Sequence, residues 1–95
     1  KDTRTLYGAE AKYLSAQLMY NAGEYAAAEK EILNFIDQST PHAYWLARSF
    51  ILLSDVYVAM DKKLDARQYL LSLQQNYHAD DDIERMIQER LEKLK

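Results

Sequence analysis

The chain has no cysteine, only two glycines and only one proline among its 95 residues. The absence of cysteine excludes disulfide bridges, cysteine-based zinc sites and thiol catalysis. So few glycines and prolines argue against an all-β fold, because the many turns of such folds need them. There is also no excess of basic charge: the net charge is -3, whereas nucleic-acid-binding surfaces are normally basic. A nucleic-acid partner is therefore not expected.

No stretch of the sequence is apolar and long enough to suit a membrane span. The most apolar stretch, residues 43–60, contains Arg48 and Asp55. The first residues, Lys1 to Arg4, lack the apolar stretch of a signal peptide. Because the chain starts at Lys1 rather than at methionine, we interpret it as a piece of a longer protein. Direct insertion of this piece into a membrane is not expected.

Apolar residues recur at spacings of three and four along almost the whole chain, which is the period of an α-helix. The pattern predicts an all-α fold in one domain, 1–95, with about five antiparallel helices. Gly23 is expected to end the first helix, and Thr40 and Pro41 to begin the third. Leu64 is expected to belong to the buried stripe of the fourth helix. The predicted helix ranges are 6–21, 24–38, 42–60, 64–77 and 81–94.

The first two predicted helices resemble the next two at an offset of 38 residues. Ala28 corresponds to Ala66, and the turn at Gly23 corresponds to the turn at Asp61. A repeated helix–turn–helix unit of about this length resembles the tetratricopeptide repeat (TPR) family. The segments that carry the resemblance are Gly23-Glu24-Tyr25, Ala28-Glu29, and Leu53-Ser54 followed by Tyr57. The second unit departs from the family pattern, since Asp61 replaces the usual turn glycine and His78 the closing proline.

The resemblance implies a TPR-like superhelix, an α-solenoid of antiparallel helix pairs. Repeat one would span 6–41, repeat two 42–80, and a C-terminal capping helix 81–95. The sequence resembles the C-terminal end of long bacterial TPR proteins. Such proteins are often associated with the cell envelope, which leaves both the periplasm and the cytoplasm open. The first helix would have no partner on its outer side, so Leu6, Tyr7, Leu14 or their neighbours would be uncovered and could support a homodimer.

In TPR proteins the first helix of each pair lines a concave groove, so the resemblance implies a protein-interaction module or scaffold. A groove of tyrosines, aliphatic residues and few charges suits an extended or helical peptide or a partner protein. Two alternatives stay open: a purely structural cap of a longer TPR array, and a small-ligand-binding helical bundle with a tyrosine-lined pocket. If the TPR geometry is projected onto this sequence, the groove is lined by Glu10, Tyr13, Gln17, Tyr20, Arg48, Ile51, Asp55, Val58, Arg85 and Glu89.

No residue pattern indicates catalysis, a cofactor or a metal ion. His42 and His78 have no metal-ligand partner three or four residues away in the manner of helical zinc sites. The acidic run at 80–82 lacks the ligand spacing of a calcium loop and instead suits a helix start. No serine lies in a nucleophile-elbow motif. The sequence therefore favours a binding or structural protein over an enzyme.

Overall fold

The computed structural model describes residues 6–37, 42–79 and 81–94, and this part of the chain is all-α. The observed helices agree with the predicted ranges to within two residues at each end. The expected role of Thr40 and Pro41 in starting the third helix lies outside the described residues. The helices are α1 (Leu6–Asn21), α2 (Tyr25–Asp37), α3 (Ala43–Ala59), α4 (Lys63–Asn76) and α5 (Ile83–Lys93).

The turn between α1 and α2 ends the first helix in a left-handed glycine, as the sequence predicts. Gly23 has a φ of 80°. Its N–H donates to the Tyr20 carbonyl at 3.0 Å, and the Glu24 N–H donates to the Met19 carbonyl at 2.9 Å. These two bonds form a Schellman motif, which satisfies carbonyls that the helix end would otherwise leave unpaired.

The turn between α3 and α4 repeats the same motif without a glycine. Asp61 has a φ of 62°. Its N–H donates to the Val58 carbonyl at 3.0 Å, and the Lys62 N–H donates to the Tyr57 carbonyl at 2.7 Å. Donors and acceptors all stand 38 positions after those of the Gly23 turn. The repeat read from side chains is therefore also present in the backbone.

In the part of the chain that the structure describes, each helix contacts only helices one or two positions away along the chain. Within the described residues α3 contacts the other four helices, α1 contacts α2 and α3, and α5 contacts α3 and α4. The described part measures 37 × 31 × 18 Å, and its shortest dimension is less than two full helix diameters. α3 is thus the central helix, as its apolar composition predicts.

The core consists of two clusters that meet at α3. The first joins side chains of α1 to α4, including Ala28, Ile32 and Ala66. The second joins α3, α4 and α5 through residues such as Leu70 and Ile87. Ala28 and Ala66 have no exposed surface, so the equivalent small residues of the two units both allow close helix packing.

Two apolar side chains on the helix surfaces test the predicted pattern. The prediction that Leu64 is buried is wrong, because its side chain is 82% exposed. The buried face of α4 is set by Ala66, Leu70 and Leu73, and a position two residues before Ala66 points to the opposite side. Leu14 is 47% exposed, as expected for an uncovered side of α1.

Candidate partner-binding groove

Side chains of α1, α3 and α5 form two polar rows across the molecule. The first row consists of Tyr13, Tyr44, Arg48 and Asp82, and the second row consists of Tyr20, Asp55 and Arg90. Tyr20 follows Tyr13 by two helical turns, and Asp55 follows Arg48 by the same interval. Seven residues return to nearly the same side of a helix about 10 Å further along, so the rows share one face.

In the first row, hydrogen bonds join α1, α3 and the start of α5. Arg48 Nη2 donates to Tyr13 Oη at 3.2 Å, and Arg48 Nη1 donates to Tyr44 Oη at 3.0 Å. The Tyr44 hydroxyl in turn donates to Asp82 Oδ1 at 2.9 Å. The positive guanidinium thus reaches a carboxylate only through a phenol, and it holds three segments in one arrangement.

Three aromatic rings surround the Arg48 guanidinium. Its Cζ lies 5.1 Å from the ring centroid of Tyr13, 5.8 Å from that of Tyr44 and 6.0 Å from that of Trp45, within cation–π range. Burial acts to lower the pKa of Arg48, but the hydrogen bonds from the guanidinium to Tyr44 and Tyr13 outweigh it, and the pKa is raised. Nε is buried and has no hydrogen-bond partner among the described residues. Arg48 is therefore permanently charged and held in one orientation.

In the second row, Arg90 of α5 and Asp55 of α3 form a two-point ion pair. Arg90 Nε lies 2.9 Å from Asp55 Oδ1, and Nη2 lies 3.1 Å from Oδ2. Planar guanidinium and carboxylate groups match each other in this geometry. Tyr20 lies beside the pair: burial, and then the negative charge of Asp55, raise its pKa. The Tyr20 hydroxyl is therefore a neutral hydrogen-bonding group at neutral pH.

An open groove of about 980 Å³ adjoins the second row. Its walls come from the C-terminal end of α1, the C-terminal half of α3, one side of α4, and α5. Its lining combines apolar and charged side chains, with three acidic and three basic groups. The lining residues are Tyr20, Ser54, Asp55, Val58, Ala59, Lys63, Leu70, Glu89, Arg90, Glu92, Lys93 and Leu94.

Seven of the ten residues predicted for the groove lie on this face. Tyr20, Asp55, Val58 and Glu89 line the groove itself. Tyr13, Gln17 and Arg48 belong to the adjoining hydrogen-bond network, in which the Tyr13 hydroxyl donates to Gln17 Oε1 at 3.1 Å.

The other three predicted residues do not line the groove. Ile51 is 1% exposed and packs in the second core cluster, so it supports the face from beneath. Glu10 is half-buried and Arg85 is exposed, but neither lines the groove. Tyr13 also differs from expectation: only 6% of it is exposed, and it contributes its hydroxyl rather than an open ring.

The sequence prediction missed Arg90 and Lys93 of α5, Lys63 of α4, and the Tyr44–Asp82 hydrogen bond. The register of α5 explains the first two, because its buried face is set by Ile83 and Ile87. A usable signal was present for Arg90. Asp55 is the only acidic residue of α3, and a partly buried carboxylate in an apolar helix is stabilised by a nearby cation.

Within residues 6–37, 42–79 and 81–94, no three His, Asp or Glu side chains come together in a way that could hold a metal ion. None of the helices in that part of the chain has the length and apolar character needed to cross a membrane. Comparison with known proteins yields no matching family model, no matching curated protein and no matching solved structure.

Proposed function

We propose that this protein is an interaction module that binds a peptide or an extended segment of a partner protein in the groove between α1, α3 and α5. The observation that carries the proposal is the groove itself, an open depression of about 980 Å³ that combines apolar, acidic and basic side chains. Sites of this kind bind through a few anchor side chains, with polar groups setting orientation.

We also propose that the helix pairs are arranged as a TPR-like superhelix. Support comes from the 38-residue repeat, which recurs in the buried residues of α2 and α4 and in the two Schellman turns. Further support comes from the helix contacts among the described residues, which do not extend beyond the second neighbour along the chain. In a TPR arrangement the first helix of each pair faces the groove; the groove here is lined by α1, α3 and α5 together with Lys63 and Leu70 of α4.

The chemistry of the groove favours a peptide with an apolar anchor between charged residues. Val58 and Tyr20 provide contact surface for the anchor, while Lys63, Lys93 and Glu89 can pair with charges of either sign. The Asp55–Arg90 ion pair holds the α5 wall against α3 before any partner arrives. A wall that is already ordered loses little conformational entropy on binding.

A peptide library displayed on phage, selected against the immobilised chain, tests the proposal. Selected peptides are then titrated by calorimetry against the wild type, Val58→Arg and Leu64→Arg. Both variants introduce the same charge at an exposed aliphatic residue, but only Val58 lines the groove. We expect Val58→Arg to weaken binding at least tenfold and Leu64→Arg to leave it unchanged. Peptides that bind Val58→Arg as tightly as the wild type would contradict the groove assignment.

A further inference from the structure

α1 carries an apolar surface that is separate from the groove. Leu14 is 47% exposed and Leu18 is 69% exposed, and the two residues are four positions apart on one side of the helix. Tyr13 and Tyr20, which belong to the two polar rows, lie on a different side of α1. The leucine surface therefore faces neither the groove nor α3.

The internal repeat shows what happens to this surface in the second unit. Leu52 and Val56 stand at the same distances before Asp61 as Leu14 and Leu18 stand before Gly23. Leu52 is 2% exposed and Val56 has no exposed surface. The same face is thus covered on α3 and uncovered on α1.

The cover over α3 comes from the preceding helix pair. Leu52 and Val56 share a core cluster with Ala28 and Ile32 of α2, and with residues of α1. Both α1 and α2 contact α3. The covering helix presents a small residue and a β-branched residue one turn apart, which allows close approach and good packing at the same time.

We propose that the Leu14–Leu18 surface seats a second helix pair of the α1–α2 type, from a partner whose facing helix carries alanine and isoleucine where α2 carries Ala28 and Ile32. A second copy of this chain cannot offer that helix face, because its own Ala28 and Ile32 are already buried in the first core cluster, at 0% and 1% exposed. The outer side of α5, at the opposite end, is charged, with Glu84, Arg85 and Glu92 exposed. Burying such groups against leucines would desolvate charges without a partner. The proposal does not depend on the groove.

The absence of cysteine allows a direct test by thiol labelling. The Leu18→Cys variant is prepared in the natural chain and in an extended chain. In the extended chain a second copy of residues 4–41 precedes residue 4 and is joined directly to it, and only the original Leu18 is replaced. This junction keeps the 38-residue register, and the tether supplies the helix pair at high effective concentration. Leu64→Cys, at the 82% exposed position on α4, is the control in both chains.

We expect the thiol of Leu18→Cys to react at least tenfold more slowly in the extended chain, while Leu64→Cys reacts equally fast in both. Equal rates for Leu18→Cys in the two chains would overturn the proposal. A rate in the natural chain that falls as the protein concentration rises, with a dimer in light scattering, would assign the surface to a second copy and overturn it as well.

A stability measurement does not depend on the reactivity of the thiol. The double substitution Leu14→Asp and Leu18→Asp is expected to lower the Tm of the natural chain by less than about 3 °C, because these positions are exposed. In the extended chain the same substitution should lower the Tm by about 10 °C, because it places charges in a covered interface. The same small shift in both chains would contradict the proposal.

Discussion

At the scale of single residues, the two turns show one backbone geometry built from two different amino acids. Gly23 adopts its left-handed conformation at no steric cost, whereas an L-residue such as Asp61 does so against the repulsion between its Cβ and the backbone. The matched hydrogen bonds show that the geometry is retained all the same. The second turn is therefore held by the packing of α3 on α4 rather than by its own preference.

The Asp61→Gly substitution should stabilise the protein by about 0.5–1 kcal/mol, because relief of the strained φ exceeds the greater flexibility of glycine in the unfolded chain. Gly23→Ala is the matched control and should destabilise by about 1 kcal/mol. Apart from Gly23 and its two chain neighbours, no atom of the described residues lies within 4 Å of the added Cβ, so this loss would come from the backbone conformation alone. Urea denaturation measures both values. An Asp61→Gly variant that is less stable than the wild type would show that the aspartate side chain itself stabilises the turn.

At the scale of the helices, two ion pairs of similar exposure differ in geometry. Arg90 and Asp55 join α5 to α3 through two contacts, and both side chains are about a quarter exposed, at 27% and 25%. Lys12 and Glu31 join α1 to α2 through one contact of 3.3 Å, with side-chain exposures of 25% and 22%. At similar exposure, the two pairs thus differ in the number of contacts and in the shape of the cationic group.

Double-mutant cycles to alanine should give a coupling energy of about 1–2 kcal/mol for Arg90 and Asp55. The cycle for Lys12 and Glu31 should give about 0.5 kcal/mol or less, because a single lysine contact loses more side-chain entropy for each bond that it forms. Urea unfolding of the four variants in each cycle supplies the values. Equal coupling in the two cycles would mean that the two-point geometry of Arg90 adds nothing to the attachment of α5.

The sequence predicts the number and the bounds of the helices, because its apolar residues follow the helical period. Stripes such as Ala28, Ile32 and Phe35 recur at three and four residues, and the helices follow them closely. The residues of the groove were harder to predict, because they depend on how each helix is rotated about its axis relative to its neighbours. Arg85 and Arg90 are five positions apart and so lie on different sides of α5: packing of Ile83 and Ile87 turns Arg90 towards Asp55 and leaves Arg85 exposed.

At the scale of the whole molecule, α3 is the only helix that contacts all others in the described part of the chain. Its buried residues enter both core clusters, whereas α5 contributes Ile83 and Ile87 to one cluster alone. Local opening of a segment costs less free energy when fewer buried contacts are lost. The stability of the fold should therefore be highest at its centre and lower at α5.

Native-state hydrogen exchange should detect this difference. Amides in the middle of α3 should exchange only through global unfolding, and those of α5 through a local opening that costs at least about 1 kcal/mol less. Arg90→Ala should lower the opening free energy of α5 more than that of α3. Nuclear magnetic resonance at low urea concentrations resolves the two classes of amide. Identical opening free energies in α3 and α5 would instead indicate a single cooperative unit.

Contacts limited to near neighbours also determine how the molecule responds to mechanical force. A pull on its two ends acts on α1 and α5 first, and in the described part of the chain each of these helices contacts only two others. We expect the outer helices to detach one after another at low force, while α3 and α4 stay together until last. A chain folded in this way would lengthen in several steps at low force rather than unfold in one event at high force.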